Sequence, residues 1–208
     1  MGNVVRLAKH KGIATWWEET EVRVLWSADR HPGLPVLEAT GEIFLWGEDD
    51  EEEPTASAGT ISIAKPCLWA DADCQAAVDD ISGDCGLLAA AVLDGPDYSD
   101  EFHQWFEVTF GVLATGNPVF IHDIEIQGGF RNPQDPLAAY AVLEAAAAFG
   151  SPGSPIIGFS VELVGEHIRD QCRNRGLWDW VDPLNAQTWR GVLVAARPQP
   201  GPLTEQER

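Results

Sequence analysis

The chain has 208 residues, of which 45% are apolar and nine are Trp, enough for one large domain or two small ones with a real core. Thirteen basic residues against 33 acidic ones leave a net charge of −20. That balance argues against a nucleic-acid partner, because phosphate binding needs clustered Lys and Arg, and it suits a cationic small molecule or a basic protein.

Residues 1–11 read as a frayed basic arm, with no apolar stretch behind it that would make a secretory leader. No apolar run approaches the length of a membrane span, so no membrane partner is expected and the location is read as cytoplasmic. Residues 14–26 and 34–46 are strand-rich, and Glu42-Ile43-Phe44-Leu45-Trp46 is the best strand of the early chain. The acidic block at residues 48–53 and the polar residues 54–59 predict a solvated loop, and residues 60–64 resume as a short strand. An antiparallel meander accounts for this half.

Residues 70–93 predict one helix, capped by Asp71 or Asp73, with Val78, Ile81, Cys85, Leu88 and Val92 at helical spacing. On that helix Asp80 and Asp84 fall four apart on one face. Paired carboxylates can act as acid and base, although on an exposed face they are ordinarily only solvated. Residues 94–101 read as a polar turn and 106–113 as a strand, with Thr115-Gly116-Asn117-Pro118 turning into the next one. The cysteines Cys67, Cys74, Cys85 and Cys172 form no CxxC pair, so they read as reduced thiols and no metal site is expected.

The most informative stretch starts at Val119. Residues 119–126 are rich in β-branched side chains and predict a strand. Strict alternation places Val119, Ile121, Asp123 and Glu125 on one face and Phe120, His122, Ile124 and Ile126 on the other. Gly128-Gly129 ends the strand, and residues 130–135 form a polar turn. A helix follows over residues 136–149, opened by Asp135 as N-cap and Pro136 at the first position and closed at Gly150. A strand, turn and helix in this order can present backbone N–H groups to an anion at the helix N-terminus. Residues 156–163 predict a strand, 165–175 a short polar helix, 177–181 and 189–196 closing strands, and 197–208 a disordered Pro-rich tail. Ser160 lacks the second glycine of a nucleophile elbow, which argues against a hydrolase.

From residue 119 to about 196 the chain resembles the GNAT (N-acetyltransferase-like) superfamily. Phe120-Ile121-His122-Asp123-Ile124-Glu125-Ile126 looks like the family's central strand. Phe130-Arg131-Asn132 looks like the aromatic-Arg-Gly that opens its phosphate loop, and the helix ending at Gly150 like the one behind that loop. Arg173-Asn174-Arg175-Gly176-Leu177 looks like the segment before its last strands. The resemblance implies a single α/β (α+β) domain over residues 1–196, with a mixed, mostly antiparallel central sheet flanked by helices.

It also implies an N-acyltransferase that moves an acyl group from acetyl-CoA, or another acyl-CoA, to an amine. In the family the central strand splays from the next one, and its backbone pairs with the pantetheine arm. Carried over, Ile124, Glu125 and Ile126 line that arm, Arg131 and Asn132 begin the phosphate loop, and Leu137 and Ala138 stand at the helix start behind it. The family's general-acid Tyr falls at Cys172, whose thiol has an unperturbed pKa of ~8.5. Glu125 and Asp123 are the candidate bases, with His122 as a secondary one.

The loop departs from the family's glycines: Pro133 and Pro136 each remove an N–H donor, and Asp135 puts a carboxylate where the pyrophosphate belongs. This predicts weak CoA binding and keeps a catalytically inactive binding or regulatory module as the alternative. A small-molecule amine or a basic protein is the expected partner, and self-association as a homodimer is open.

If residues 48–53 form a solvated loop, deleting them should leave the unfolding midpoint and any activity nearly unchanged. Thermal unfolding of the deletion variant checks this, and a large loss would show that the block docks on something.

Overall fold

The computed structural model describes residues 20–47, 56–68, 73–130, 137–160, 187–190 and 192–196. Alternation of apolar and polar side chains builds the first three strands, β1 (Thr20–Arg30), β2 (Val36–Gly47) and β3 (Ala56–Pro66). They pair antiparallel as a meander, as expected. β1 and β2 stay in register from Thr20 opposite Gly47 to Arg30 opposite Leu37, whereas β2 and β3 slip by one residue after Ile43.

The single helix expected over residues 70–93 is two, α1 (Cys74–Asp79) and α2 (Gly83–Val92). Ser82 makes the break. Its backbone is extended and its Oγ accepts the Cys85 N–H at 3.0 Å, so it starts a new helix instead of continuing the old one. Asp73 caps α1 as expected, accepting the Ala76 N–H at 3.0 Å. Asp80 therefore closes α1 while Asp84 opens α2, and the two carboxylates do not share a helix face.

A short hairpin, β4 (Leu93–Asp94) and β5 (Asp97–Tyr98), leads to α3 (Asp100–Phe110), which replaces the strand expected over residues 106–113. Here the helical period prevails over the β-prone composition. Phe102 and Phe106, four apart, are fully buried, Ser99 accepts the Phe102 N–H, and Gly111 closes the helix at φ 69°.

The chain continues as β6 (Val119–Ile126), a single 3-10 turn at Gly128–Phe130, α4 (Leu137–Phe149) and β7 (Pro155–Ser160). The strand expected at 189–196 is a hairpin, β8 (Gln187–Trp189) and β9 (Val192–Ala196), turned at Arg190 with φ 43°. The arm at 1–11, the acidic block, the helix at 165–175, the strand at 177–181 and the C-terminal tail lie outside the described residues.

All seven longer strands form one sheet in the order β1-β2-β3-β6-β7-β9-β8, antiparallel throughout except for the β6–β7 pair. The expected mixed, mostly antiparallel sheet flanked by helices is therefore present, with β6 at its centre. Helix α4 covers one face. Its Ala138, Ala141 and Ala145 are fully buried among Ile43, Ile61, Ile63, Ile121 and Ile126, and such small side chains let the helix sit close to the sheet. Lys65 closes that helix from below, donating to the Phe149 carbonyl oxygen at 2.7 Å. Helices α1, α2 and α3 cover the other face over Val36, Ala64, Phe120, Ile157 and Val194.

Trp189 ties the β8–β9 hairpin to this helical layer. Its Nε1 donates to the Ala91 carbonyl at 2.9 Å, and its ring lies 5.0 Å from that of Trp105 and 6.0 Å from that of Phe102. Trp189→Ala should therefore destabilise the protein by about 3 kcal/mol, the low end for truncating a large aromatic because the ring is only half-buried. Urea unfolding measures this.

Candidate active site

The site starts from a fault in alternation. Val119, Ile121, Ile124 and Ile126 all pack under α4, so the apolar positions step by two, then three, then two. The extra residue is His122. Ile63 of β3 stands opposite Ile121 and Ser62 opposite Asp123, which leaves His122 without a partner in the register. This is a β-bulge, which adds one residue to a strand and re-aims the side chains around it.

The bulge corrects the facial assignment made from strict alternation. Asp123 stands opposite Ser62 and Glu125 opposite Thr60, on the face away from α4, and His122 follows Phe120 on that same face. His122, Asp123 and Glu125 are thus brought together, where alternation had set His122 apart. Ile124 and Ile126 turn the other way and bury their side chains in the α4 core.

The far end of β6 leans on β3. Glu125 and Ile126 pair with Thr60 and Gly59, and the Gln127 N–H donates to the Ala58 carbonyl at 2.9 Å. The approach is so close that a Cβ on Gly59 would lie 2.0 Å from the Glu125 carbonyl oxygen. On its other side β6 keeps register with β7 at three positions only, Val119–Ile156, Phe120–Ile157 and Ile121–Gly158. β6 then runs on to Ile126 and β7 to Ser160 with no register between them. Among the described residues the register of the one parallel pair thus ends where the bulge begins, with the carboxyl ends of both strands beyond it, and open α/β sheets place ligands beyond the carboxyl ends of their strands.

Helix α4 returns from β6 to β7, so its start faces the same end of the sheet. Leu137 and Ala138, expected at that start, are its first two residues, and both are fully buried. Arg131, Asn132 and Cys172 lie outside the described residues.

The His122 imidazole is half-buried, and burial holds its pKa below the usual 6.5. Asp123 opposes this shift most, followed by Asp84 at the start of α2 and Glu38 on β2. The result is a ring biased to the neutral form, with carboxylates from three elements around it. Such a ring can take a proton from an attacking group, and its surroundings favour a cation.

Glu38 has no signal in the sequence, and Asp84 stands out there only as a carboxylate paired with Asp80, because no local pattern links either residue to β6. The bulge had a signal in the spacing of Ile121 and Ile124. Among the described residues no group of His, Cys, Asp and Glu has the geometry to hold a metal ion. Compared with protein-family models, curated proteins and solved structures, the chain matches none.

A depressed His pKa has a defined sign in stability. The contribution is fully present above the unfolded value near 6.5 and is lost as pH falls through the folded one. Between about pH 7.5 and about 5, the unfolding midpoint should therefore fall more steeply for the native protein than for His122→Gln. Parallel slopes would show that the imidazole titrates as it does in the unfolded chain.

Proposed function

We propose that the protein is a GNAT-like N-acyltransferase that uses acyl-CoA and accepts a cationic amine. The observation that carries this reading is the parting of β6 from β7 beside a bulged, neutral-biased histidine at the sheet centre. It agrees with the family's splayed central strand, and a helix follows that strand as the resemblance requires. The β6 backbone from His122 to Glu125 is the edge that an extended pantetheine arm would follow. The start of α4 is the end to which its pyrophosphate would turn.

Bound acyl-CoA would supply the thioester. The chain's own residues deal with the amine. Asp123 and Glu125 are exposed on the open face and attract the ammonium form, together with Glu38 and Asp84. His122 takes the proton that the nitrogen loses, so that its lone pair can attack. Glu125 and Asp123, first read as bases, act in this scheme by holding the cation and by favouring the imidazolium that forms. Cys172 is proposed as the proton donor to the leaving thiolate, on the family resemblance alone.

The test combines calorimetric titration with acetyl-CoA and longer acyl-CoAs with a transfer assay over a panel of cationic amines. If His122 is the base, kcat/KM should fall on the acid side with the protonation of a group whose pKa lies below the usual 6.5. His122→Gln should then lower kcat by ~10²–10⁴-fold. Asp135→Gly should tighten CoA binding a few-fold at low salt, since removing a charge from a helix start relieves ~0.3–1 kcal/mol of repulsion. Absence of binding by both the native protein and Asp135→Gly would overturn the enzyme reading in favour of a non-catalytic module.

A further inference from the structure

Two cysteines meet where β3 gives way to α1. Cys67 follows the last residue of β3, and Cys74 is the first residue of α1, seven positions on. The Cys74 thiol donates to the Cys67 carbonyl oxygen, with sulfur and oxygen 3.4 Å apart. A carbonyl and a side chain branch from the same Cα, so the buried sulfur lies against the residue that carries the other one. Both sides of this contact are pinned. The Cys67 N–H donates to the Pro35 carbonyl at 2.8 Å, the Leu68 N–H donates to Asn117 Oδ1 at 3.1 Å, and the Asp73 cap holds the first turn of α1.

The two thiols differ in kind. Cys67 is exposed, and its thiolate attracts the ammonium of Lys65, which the Phe149 carbonyl holds at 2.7 Å. An exposed thiolate within reach of a cation is the form that attacks an electrophile. Cys74 is fully buried. Burial raises its pKa, and the negative charges of Cys67, Asp73 and Asp97 add to this, so it stays a protonated thiol. Cys85 is buried on α2, where burial and then the charges of Glu38, Asp84 and Asp79 push its thiol up to about 12.

We propose that Cys67 and Cys74 are a peroxide-responsive dithiol, which closes to a disulfide across the β3–α1 junction and reopens with a thiol reductant. The Cys67 thiolate attacks one oxygen of a hydroperoxide. The S–O bond forms as the O–O bond breaks, the leaving alkoxide or hydroxide takes up a proton, and Cys67 becomes a sulfenic acid. Exposed side chains change rotamer within nanoseconds, so Cys67 can turn its sulfur toward Cys74. The Cys74 sulfur gives up its proton and its bond to the Cys67 carbonyl and attacks the Cys67 sulfur. The S–S bond forms, the S–O bond breaks and water leaves. In sum, two thiols and one hydroperoxide give a disulfide, an alcohol (or water, from hydrogen peroxide) and a water. The sulfurs lose the electron pair that the peroxide gains. The bridge ties the helical layer to the end of β3, and no step of the acyl-transfer reading uses either sulfur.

Non-reducing peptide mapping of the full chain, before and after treatment with stoichiometric hydrogen peroxide, tests this. The treated native protein should carry one bridge within the chain, Cys67 to Cys74, with Cys85 still free, and dithiothreitol should remove it. Cys67→Ser should form no bridge and leave Cys74 unoxidised at the same dose. Cys74→Ser should stop at a Cys67 sulfenic acid that dimedone captures. If that buried variant folds poorly, dimedone present while the native protein is oxidised should label Cys67 and lower the yield of bridge. A bridge from Cys67 to Cys172 or between two chains would overturn the proposal, as would a native Cys67 that peroxide leaves unchanged or takes to the sulfinic acid while Cys74 stays free.

Discussion

The arrangement of the centre rests on an unequal contest for β6. On one side β3 holds the strand to its last residue and one step beyond, through the Gln127 N–H. On the other side β7 holds it for three residues. A strand held unequally along its two edges must leave one neighbour, and the bulge at His122 falls where the pairing changes. The parting and the re-aimed histidine are therefore two results of one backbone event, a single unpaired residue in the middle of the sheet.

The helical layers make that event tolerable. Helix α4 seals the face on which Ile121, Ile124 and Ile126 lie, so the bulge does not open the core. Helices α1, α2 and α3 cover Phe120 and the ends of β3, β7 and β9, but they leave Asp123 and Glu125 exposed. Tyr98 helps to fix this layer from behind, where its buried hydroxyl donates to the Gly116 carbonyl at 2.6 Å just before β6 begins. One face of the strand is thus dry and structural while the other is open and charged. This division lets a half-buried imidazole sit next to carboxylates that still reach water.

Much of this was legible in the chain, for identifiable reasons. β6 and α4 could be read almost to the residue, because both carry strong local signals: β-branched content ending at Gly128, and a long alanine run ending at Gly150. The misreadings came where two signals competed. Residues 106–110 are β-prone in composition, yet Phe102 and Phe106 bury one side of a helix. Residues 70–93 keep helical spacing across Ser82, yet that serine ends one helix's reach and caps the next. The site was half legible. Its residues on β6 were named, but their facing was set by the bulge, and Glu38 and Asp84 meet His122 only through tertiary structure.

Gly59 shows how narrow the tolerance at this centre is. Its importance lies in the absence of a side chain where two backbones touch, opposite the Glu125 carbonyl. Even a methyl group there would act as a wedge, driving the end of β6 away from β3 and toward β7. Sequence drift in this fold can thus alter the acidic carpet around His122 one residue at a time, while position 59 has no gradual path, because no side chain is smaller than hydrogen.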